Sequence, residues 1–239
     1  MKLNYSTTDY IGRIELFNPP YNTLDSPVFG DYNLLKAFLS KEGLKAVVVE
    51  GAGRNFCAGA DIESLKYNIN KGKNFKHLLS RGKKLLDLIR FAPIPVIALI
   101  RGSCLGAGLE IALSCHFRWA SNNAMFGFPE TENQILPGLG GTVETRSIIK
   151  IPDLIELVLS GKMIGAAEAE KIGIIDRSIK SSRLEEEAIK YIKSLVHNRT
   201  RGLIEKVMKS IHNGSLMSRE KALKAESLLF YKAAKEQYK

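Results

Sequence analysis

The chain has 239 residues, 45% hydrophobic and 25% charged, ordinary globular proportions with enough length to bury one full core. Its 35 Lys and Arg against 25 Asp and Glu give a formal net charge of +10; no basic stripe interleaved with aromatics points to nucleic acid, so a polyphosphate cofactor and a plain lysine-rich surface remain the two readings. The absence of a signal-peptide pattern or of an apolar run near the roughly 18 residues of a membrane span, with three widely spaced cysteines read as buried free thiols, predicts a cytoplasmic protein.

Residues 1–17 alternate polar and apolar around a turn at Gly12, and IGRIEL reads as a strand of an opening hairpin, stopped by Asn18-Pro19-Pro20-Tyr21-Asn22. Phe29, Leu34, Leu35 and Phe38 fall at helical spacing within 26–41, with Pro27 near the start. LKAVVVEG is a continuous β-branched run, the mark of a strand covered on both faces. The small-residue loop GAGRNFCAGADIESL leads into a further helix, and 71–90 is amphipathic, with Leu78, Leu79, Leu85, Leu86 and Ile89 on one side. Lysines 71, 73, 76, 83 and 84 read as its solvated face, with contact to cofactor phosphates as the alternative.

VIALIRG follows Pro93 and Pro95 as a second buried strand, and GSCLGAGLEIALSC reads as a glycine turn feeding a buried helix. Strand, glycine-rich loop and helix thus occur at 45–65 and again at 95–115, which predicts an α/β fold of stacked β-β-α turns; a doubly wound sheet would give similar text. Short helices are expected over 142–150 and 152–161, then a helix, a glycine stop and a short strand in AAEAEKIGIID. From Leu184 onward the sequence is nearly all helix-forming, with breaks near 198–202 and 213–218. That divides the chain into a core over 1–183 and a helical region over 184–239.

The chemistry concentrates between Gly102 and Gly141. A helix opening at Gly106-Ala107 aims unpaired N–H groups and a partial positive charge at whatever lies above it. Glu110 falls in its first turn, while Glu130 follows Pro129 in a loop, so two acids from different elements can face one pocket. Paired carboxylates beside an anion-binding turn point to acid/base chemistry next to a carbonyl. Taken singly, Glu110 is a helix-cap acid and Glu130 a loop acid, and Glu132 is the plainer candidate for the latter. His77, His116, His197 and His212 show no metal spacing, so no metal is expected. GSCLG is not a nucleophile elbow, and GLGG lacks the strand and spacing of a dinucleotide site.

Five ordered stretches, LKAVVVEGAGRNFCAGADIESL, PVIALIRGSCLGAGLEIALSC, MFGFPE, LPGLGGT and LSGKMIGAAEAEKIGIID, resemble the crotonase, or enoyl-CoA hydratase/isomerase, superfamily. The resemblance implies a crotonase fold, a spiral core of repeated ββα units followed by a C-terminal helical region. It implies a hydratase acting on an acyl-CoA, with coenzyme A as part of the substrate and no separate cofactor. Glu110 and Glu130 match the catalytic pair, Ala58 and Ala107 match the two oxyanion donors, and Ala58, Ala60, Asp61, Ile62 and Gly106 match positions along the bound thioester. For Asp61 a structural role is the simpler reading.

The polar run Thr131-Glu132-Asn133-Gln134 stands where relatives are more apolar, which leaves a wall for a polar acyl group or a solvent-facing loop. The sequence stops after SLLFYKAAKEQYK, short of a helical stretch that helps cover the cofactor in relatives, so an acyl-carrier-protein thioester stands as a second carrier. Isomerase, decarboxylase, thioester hydrolase and a noncatalytic acyl-thioester-binding subunit are the alternatives. The family resemblance also implies homotrimers or hexamers.

Overall fold

In the computed structural model, which describes residues 1–70 and 75–238, the chain winds into stacked turns. Each of three turns gives one strand to a large sheet and then a short extended piece to a second layer. The opening hairpin pairs β1 (Lys2–Thr8) with β2 (Ile11–Phe17), antiparallel. Its turn lies at Asp9-Tyr10, where Asp9 takes φ 55, and not at Gly12. Gly12 sits inside β2 because a Cβ there would lie 2.9 Å from the Phe38 ring and 3.0 Å from Leu44.

The helix expected over 26–41 is shorter. Helix α1 spans Tyr32–Leu39, and the Asp31 side chain sets its start by accepting the Leu34 N–H at 2.8 Å. Pro27 lies outside it, with its carbonyl close enough to Gly82 that a Cβ there would stand 2.4 Å away. Strand β3 (Ala46–Gly51) follows, then α2 (Ile62–Asn70), α3 (Phe75–Arg90), β4 (Val96–Ile100), β5 (Ser103–Leu105) and α4 (Ala107–Ser114). The next turn brings β6 (Phe117–Ser121) and β7 (Met125–Gly127), then a short 3₁₀ helix at Pro129–Asn133 where the sequence predicts a loop. Helices α5 (Gly141–Thr145) and α6 (Ile151–Leu159), strand β8 (Ile164–Gly165), helix α7 (Ala166–Ile172) and strand β9 (Arg177–Ile179) complete the core. Gly173 ends α7 at φ 94 as expected, but the strand begins beyond the apolar residues Ile174 and Ile175, which are buried in the turn.

The large sheet has six strands in the order β1-β2-β3-β4-β6-β9, parallel after the hairpin. Val47, Val48 and Val49, like Ile97, Ala98 and Leu99, are sealed on both faces, as a parallel sheet covered by helices requires. The second layer orders β5-β7-β8, and a parallel bridge between Cys57 and Cys104 adds residue 57 beside β5. The repeated ββα spiral is therefore the observed arrangement.

Helices α8 (Leu184–Val196), α9 (Arg201–Leu216) and α10 (Arg219–Gln237) form the C-terminal part. The division at 184 does not follow the packing. Leu184, Ala188, Ile192 and Val196 belong to the same buried cluster as the sheet, and Glu185 joins Arg13 and Arg101 around the buried Glu50. Ile204 and Met208 of α9 also join that cluster, whereas α10 buries no residue. The predicted lysines 71 and 73 lie outside the described residues.

Candidate active site

A cavity of about 500 Å³ opens between α2, α3, the first turn of α4 and the segment 134–139, with Glu110 and Glu130 both in its wall. Helix α4 reaches this place because Gly108 lets it approach the previous turn. A Cβ on Gly108 would stand 2.2 Å from the Cys57 carbonyl oxygen, so only glycine lets the two backbones touch. All eight residues of α4 are buried, Glu110 among them at 3% exposure.

Glu110 Oε1 accepts two backbone N–H groups, from Leu139 and Gly141, each at 2.7 Å. LPGLGG therefore acts as a clamp that fixes this carboxyl. Burial pushes the Glu110 pKa up to about 6; the N–H bonds and, more weakly, the Lys83 ammonium pull the other way. Glu130 is held differently. Burial pushes it to about 7, with the neighbouring Glu110 adding to the rise, and its Oε2 is buried with no hydrogen-bond partner among the described residues. Its Oε1 lies so near Gly106 that a Cβ there would stand 2.7 Å from it. The two carboxyls thus differ in support: both are raised by burial, but Glu110 has N–H donors that favour its ionised form, and Glu130 Oε2 has none among the described residues, which favours its protonated form.

Backbone donors complete the wall. Ala107 is the first residue of α4, so its N–H has no partner within the helix. The Ala58 N–H, expected as a second donor, is already engaged. It is donated to the Tyr21 carbonyl at 2.9 Å, and Ala58 does not line the cavity. Two residues on, Leu24 pairs in parallel with Ala60, taking the Asp61 N–H at 2.7 Å and giving its own N–H to Gly59 at 2.8 Å. In an extended chain successive N–H groups point to opposite sides. The Ala60 N–H consequently turns away from Leu24, makes no hydrogen bond among the described residues, and belongs to a residue that lines the cavity together with Ala107.

The other predicted contacts divide. Gly106 is the hinge before α4, at φ 49, and presses on Glu130 without lining the cavity. Asp61 accepts the Ser64 N–H at 2.8 Å and caps α2, and those bonds to Ser64 hold its carboxyl below the usual range. Ile62 opens α2 and stands partly exposed, outside the cavity lining. Of the polar run, Thr131 bonds the Val158 carbonyl at 2.7 Å and Glu132 packs against Gly161, while Gln134 alone joins Glu130 in the wall.

Asn22 is a residue whose role the sequence did not disclose. Wholly buried at φ 53, it donates to the carbonyls of Ala52 at 2.9 Å and Asn55 at 2.7 Å, and accepts the Asn18 N–H at 3.0 Å. It ties down the loop that leads to Ala60. A polar residue closely following the Pro19-Pro20 pair was the available signal, and it read as a turn. A larger cavity of about 820 Å³ lies between α1 and α3, but its one lining carboxylate, Asp87, is paired with Arg90 at 2.9 Å.

A family model described as enoyl-CoA hydratase/isomerase matches residues 6–239. A probable enoyl-CoA hydratase of Bacillus subtilis (strain 168) is 29% identical over 233 residues, covering 97% of this chain and 90% of that protein. A peroxisomal bifunctional enzyme of Cavia porcellus is 37% identical over 185 residues; the match takes in 77% of this chain but only 25% of that longer relative. Among solved structures, an enoyl-CoA hydratase from Bacillus anthracis superposes with a TM-score of 0.84 at 28% identity, over 96% of this chain and 89% of the other.

Proposed function

Because the chain belongs to the enoyl-CoA hydratase/isomerase family, we propose that this cavity hydrates the 2,3-double bond of an acyl-CoA thioester. The observation that carries the reading is the pair of buried carboxyls, Glu110 clamped by two N–H groups and Glu130 with an unpartnered Oε2 among the described residues, in one wall with Ala60 and Ala107. Coenzyme A enters as part of the substrate.

The thioester oxygen sits between the Ala60 and Ala107 N–H groups. Glu110, ionised and fixed by Leu139 and Gly141, takes a proton from water as the water oxygen bonds to Cβ. The π electrons of the double bond move onto the carbonyl oxygen, giving an enolate, and each N–H donor aimed at that charge contributes about 3 kcal/mol. Glu130, which keeps its proton longer, delivers it to Cα as the carbonyl reforms. Water has then been added across the bond. A proton passing from Glu110 back to Glu130 by way of water restores the starting state. Each acid/base group supplies roughly 10²–10⁴-fold.

A homotrimer or a dimer of trimers belongs to the same proposal, supported by Leu223, Leu228, Phe230 and Tyr231 of α10, which stay exposed outside the core. Light scattering that returns a monomer mass removes that part.

The test is the fall in enoyl-thioester absorbance when the protein meets crotonyl-CoA, with the same acyl group on a carrier protein in parallel. Hydration is expected on coenzyme A, and Glu110→Gln and Glu130→Gln should each lower kcat by at least about 100-fold. Product that is a shifted double bond or a free acid, or full activity in both variants, refutes the hydratase reading.

A further inference from the structure

The amphipathic helix α3 does not put all its lysines in one environment. Phe75, Leu79 and Lys83 recur every four residues, so they share one face of the helix, and all three line the cavity of the glutamate pair. His77, Arg81 and Lys84 face the separate cavity beside α1. Lys83 thus stands at the rim of the cavity where the spacing of Phe75 and Leu79 calls for a third apolar side chain. Among the described residues its ammonium is the one cation in that lining, and it forms no ion pair or hydrogen bond with them.

The acids around Lys83 are otherwise engaged. Asp25 accepts the amino terminus at 2.7 Å, Glu110 is held by two backbone N–H groups, and Glu130 faces Gly106. Gln134, an exposed residue whose amide has no hydrogen-bond partner among the described residues, lines the same cavity. Ser26 accepts the Val28 N–H and Asn68 donates to the Asp25 carbonyl, and the rest of the lining, with Leu65, Ile69, Leu79, Ile135, Leu136 and Leu139, is apolar. A plain hydrocarbon chain satisfies that apolar wall and leaves the amide with water and the ammonium with water and the weak through-space attraction of Glu110. An acyl chain that ends in a carboxylate satisfies both.

We propose that Lys83 is a specificity-determining residue and that the cavity selects a short 2-enoyl thioester whose acyl group ends in a carboxylate, received by Lys83 with Gln134 beside it. This rests on the hydratase reading for the reaction, but the selection itself is a matter of binding. The acyl carboxylate and the phosphates of coenzyme A are the two anions that can reach Lys83, and the experiment separates them.

Two matched pairs of thioesters decide the matter, each pair equal in length and differing only in a terminal carboxylate or methyl group. With the enoyl pair, kcat/KM should favour the carboxylate by about 10-fold, the scale of a charge-assisted hydrogen bond open to water. Lys83→Met should bring the ratio to about 1 or below, and Lys83→Arg should restore most of it. With the saturated pair, calorimetry should show the same preference in Kd, lost in Lys83→Met, whether or not the protein turns over. A ratio that Lys83→Met leaves unchanged overturns the proposal. So does a Lys83→Met variant that weakens both members of a pair equally together with free coenzyme A, which assigns Lys83 to the phosphates. Absence of hydration with either enoyl thioester, alongside a Lys83-dependent Kd preference, refutes the hydratase reading and upholds the selectivity.

Discussion

Replacing Glu130 by glutamine should stabilise the folded protein above neutrality. The carboxyl titrates at about 7 where 4.5 is its ordinary value, so the native state binds its proton more tightly than the unfolded chain does. Stability therefore falls as pH rises from about 4.5 to 7, and the full penalty of an ionised buried carboxylate stands above that window. At about 1.4 kcal/mol per tenfold change in proton affinity the penalty is about 3.4 kcal/mol, and partial access to water trims it to about 2. Glutamine keeps the shape and carries no charge, and it abandons no hydrogen bond at Oε2, which has none among the described residues. In a chain of this size the gain corresponds to about 4–8 °C in Tm at pH 8.5. Most of it should be absent at pH 5, where the wild-type carboxyl is still protonated. Thermal melts of both proteins at the two pH values measure the difference. A variant no more stable than wild type at pH 8.5, or equally stabilised at both, would show that Glu130 is not buried as described.

The same two carboxyls set the pH dependence of turnover. kcat/KM should be bell-shaped with apparent limbs of the coupled pair near 6 and 7, rising as Glu110 gives up its proton and falling as Glu130 does; a flat profile from pH 5 to 9 contradicts the assignment. Gly106→Ala should cost at least about 10-fold in kcat/KM and about 1–2 kcal/mol of stability, since its Cβ would meet Glu130 and its φ of 49 disfavours a side chain; steady-state kinetics with a urea melt test both. Asn22→Ala leaves two carbonyls unpaired in the interior and should lower stability by about 2–3 kcal/mol in the same melt. Gly108→Ala should cost about 1–3 kcal/mol or abolish folding, and a variant as stable as wild type would refute the close approach of α4 to Cys57.

The spiral core and the positions of Glu110 and Glu130 were legible because they live in runs of residue type. Val47 to Val49 announce a strand covered on both sides, and the glycines at 106 and 108 announce a helix pressed against a turn. In CAGADI the sequence pointed to the Ala58 N–H, whereas the N–H left without a partner among the described residues is that of Ala60, two residues on. Residue letters carry no information about which N–H of an extended segment is spent on Tyr21 or Leu24, and that choice is made by pairing partners 35 or so positions away, a separation typical of sheet bridges. The packing of the C-terminal helices was hidden for a related reason: Leu184, Ala188, Ile192 and Val196 are an ordinary amphipathic stripe, and only the sheet beneath them shows that α8 belongs to the core. Lys83 was read with the other lysines because the composition of α3 outweighs its i, i+4 stripe to the eye.

The Ala60 and Ala107 N–H groups, the donors of the proposed mechanism, are main-chain groups from successive turns of the spiral, and Leu105 bonding Cys57 at 3.0 Å locks those turns in register. The part of the site proposed to receive developing negative charge is thus a property of how the chain is wound, and it has no side chain that mutation could take away. Side chains around it, such as Lys83, Gln134 and Leu136, hang on separate walls and carry none of that bonding. Inheritance can therefore act on the two layers independently: one is kept as long as the fold is kept, while the other is free to be rewritten for a new acyl group.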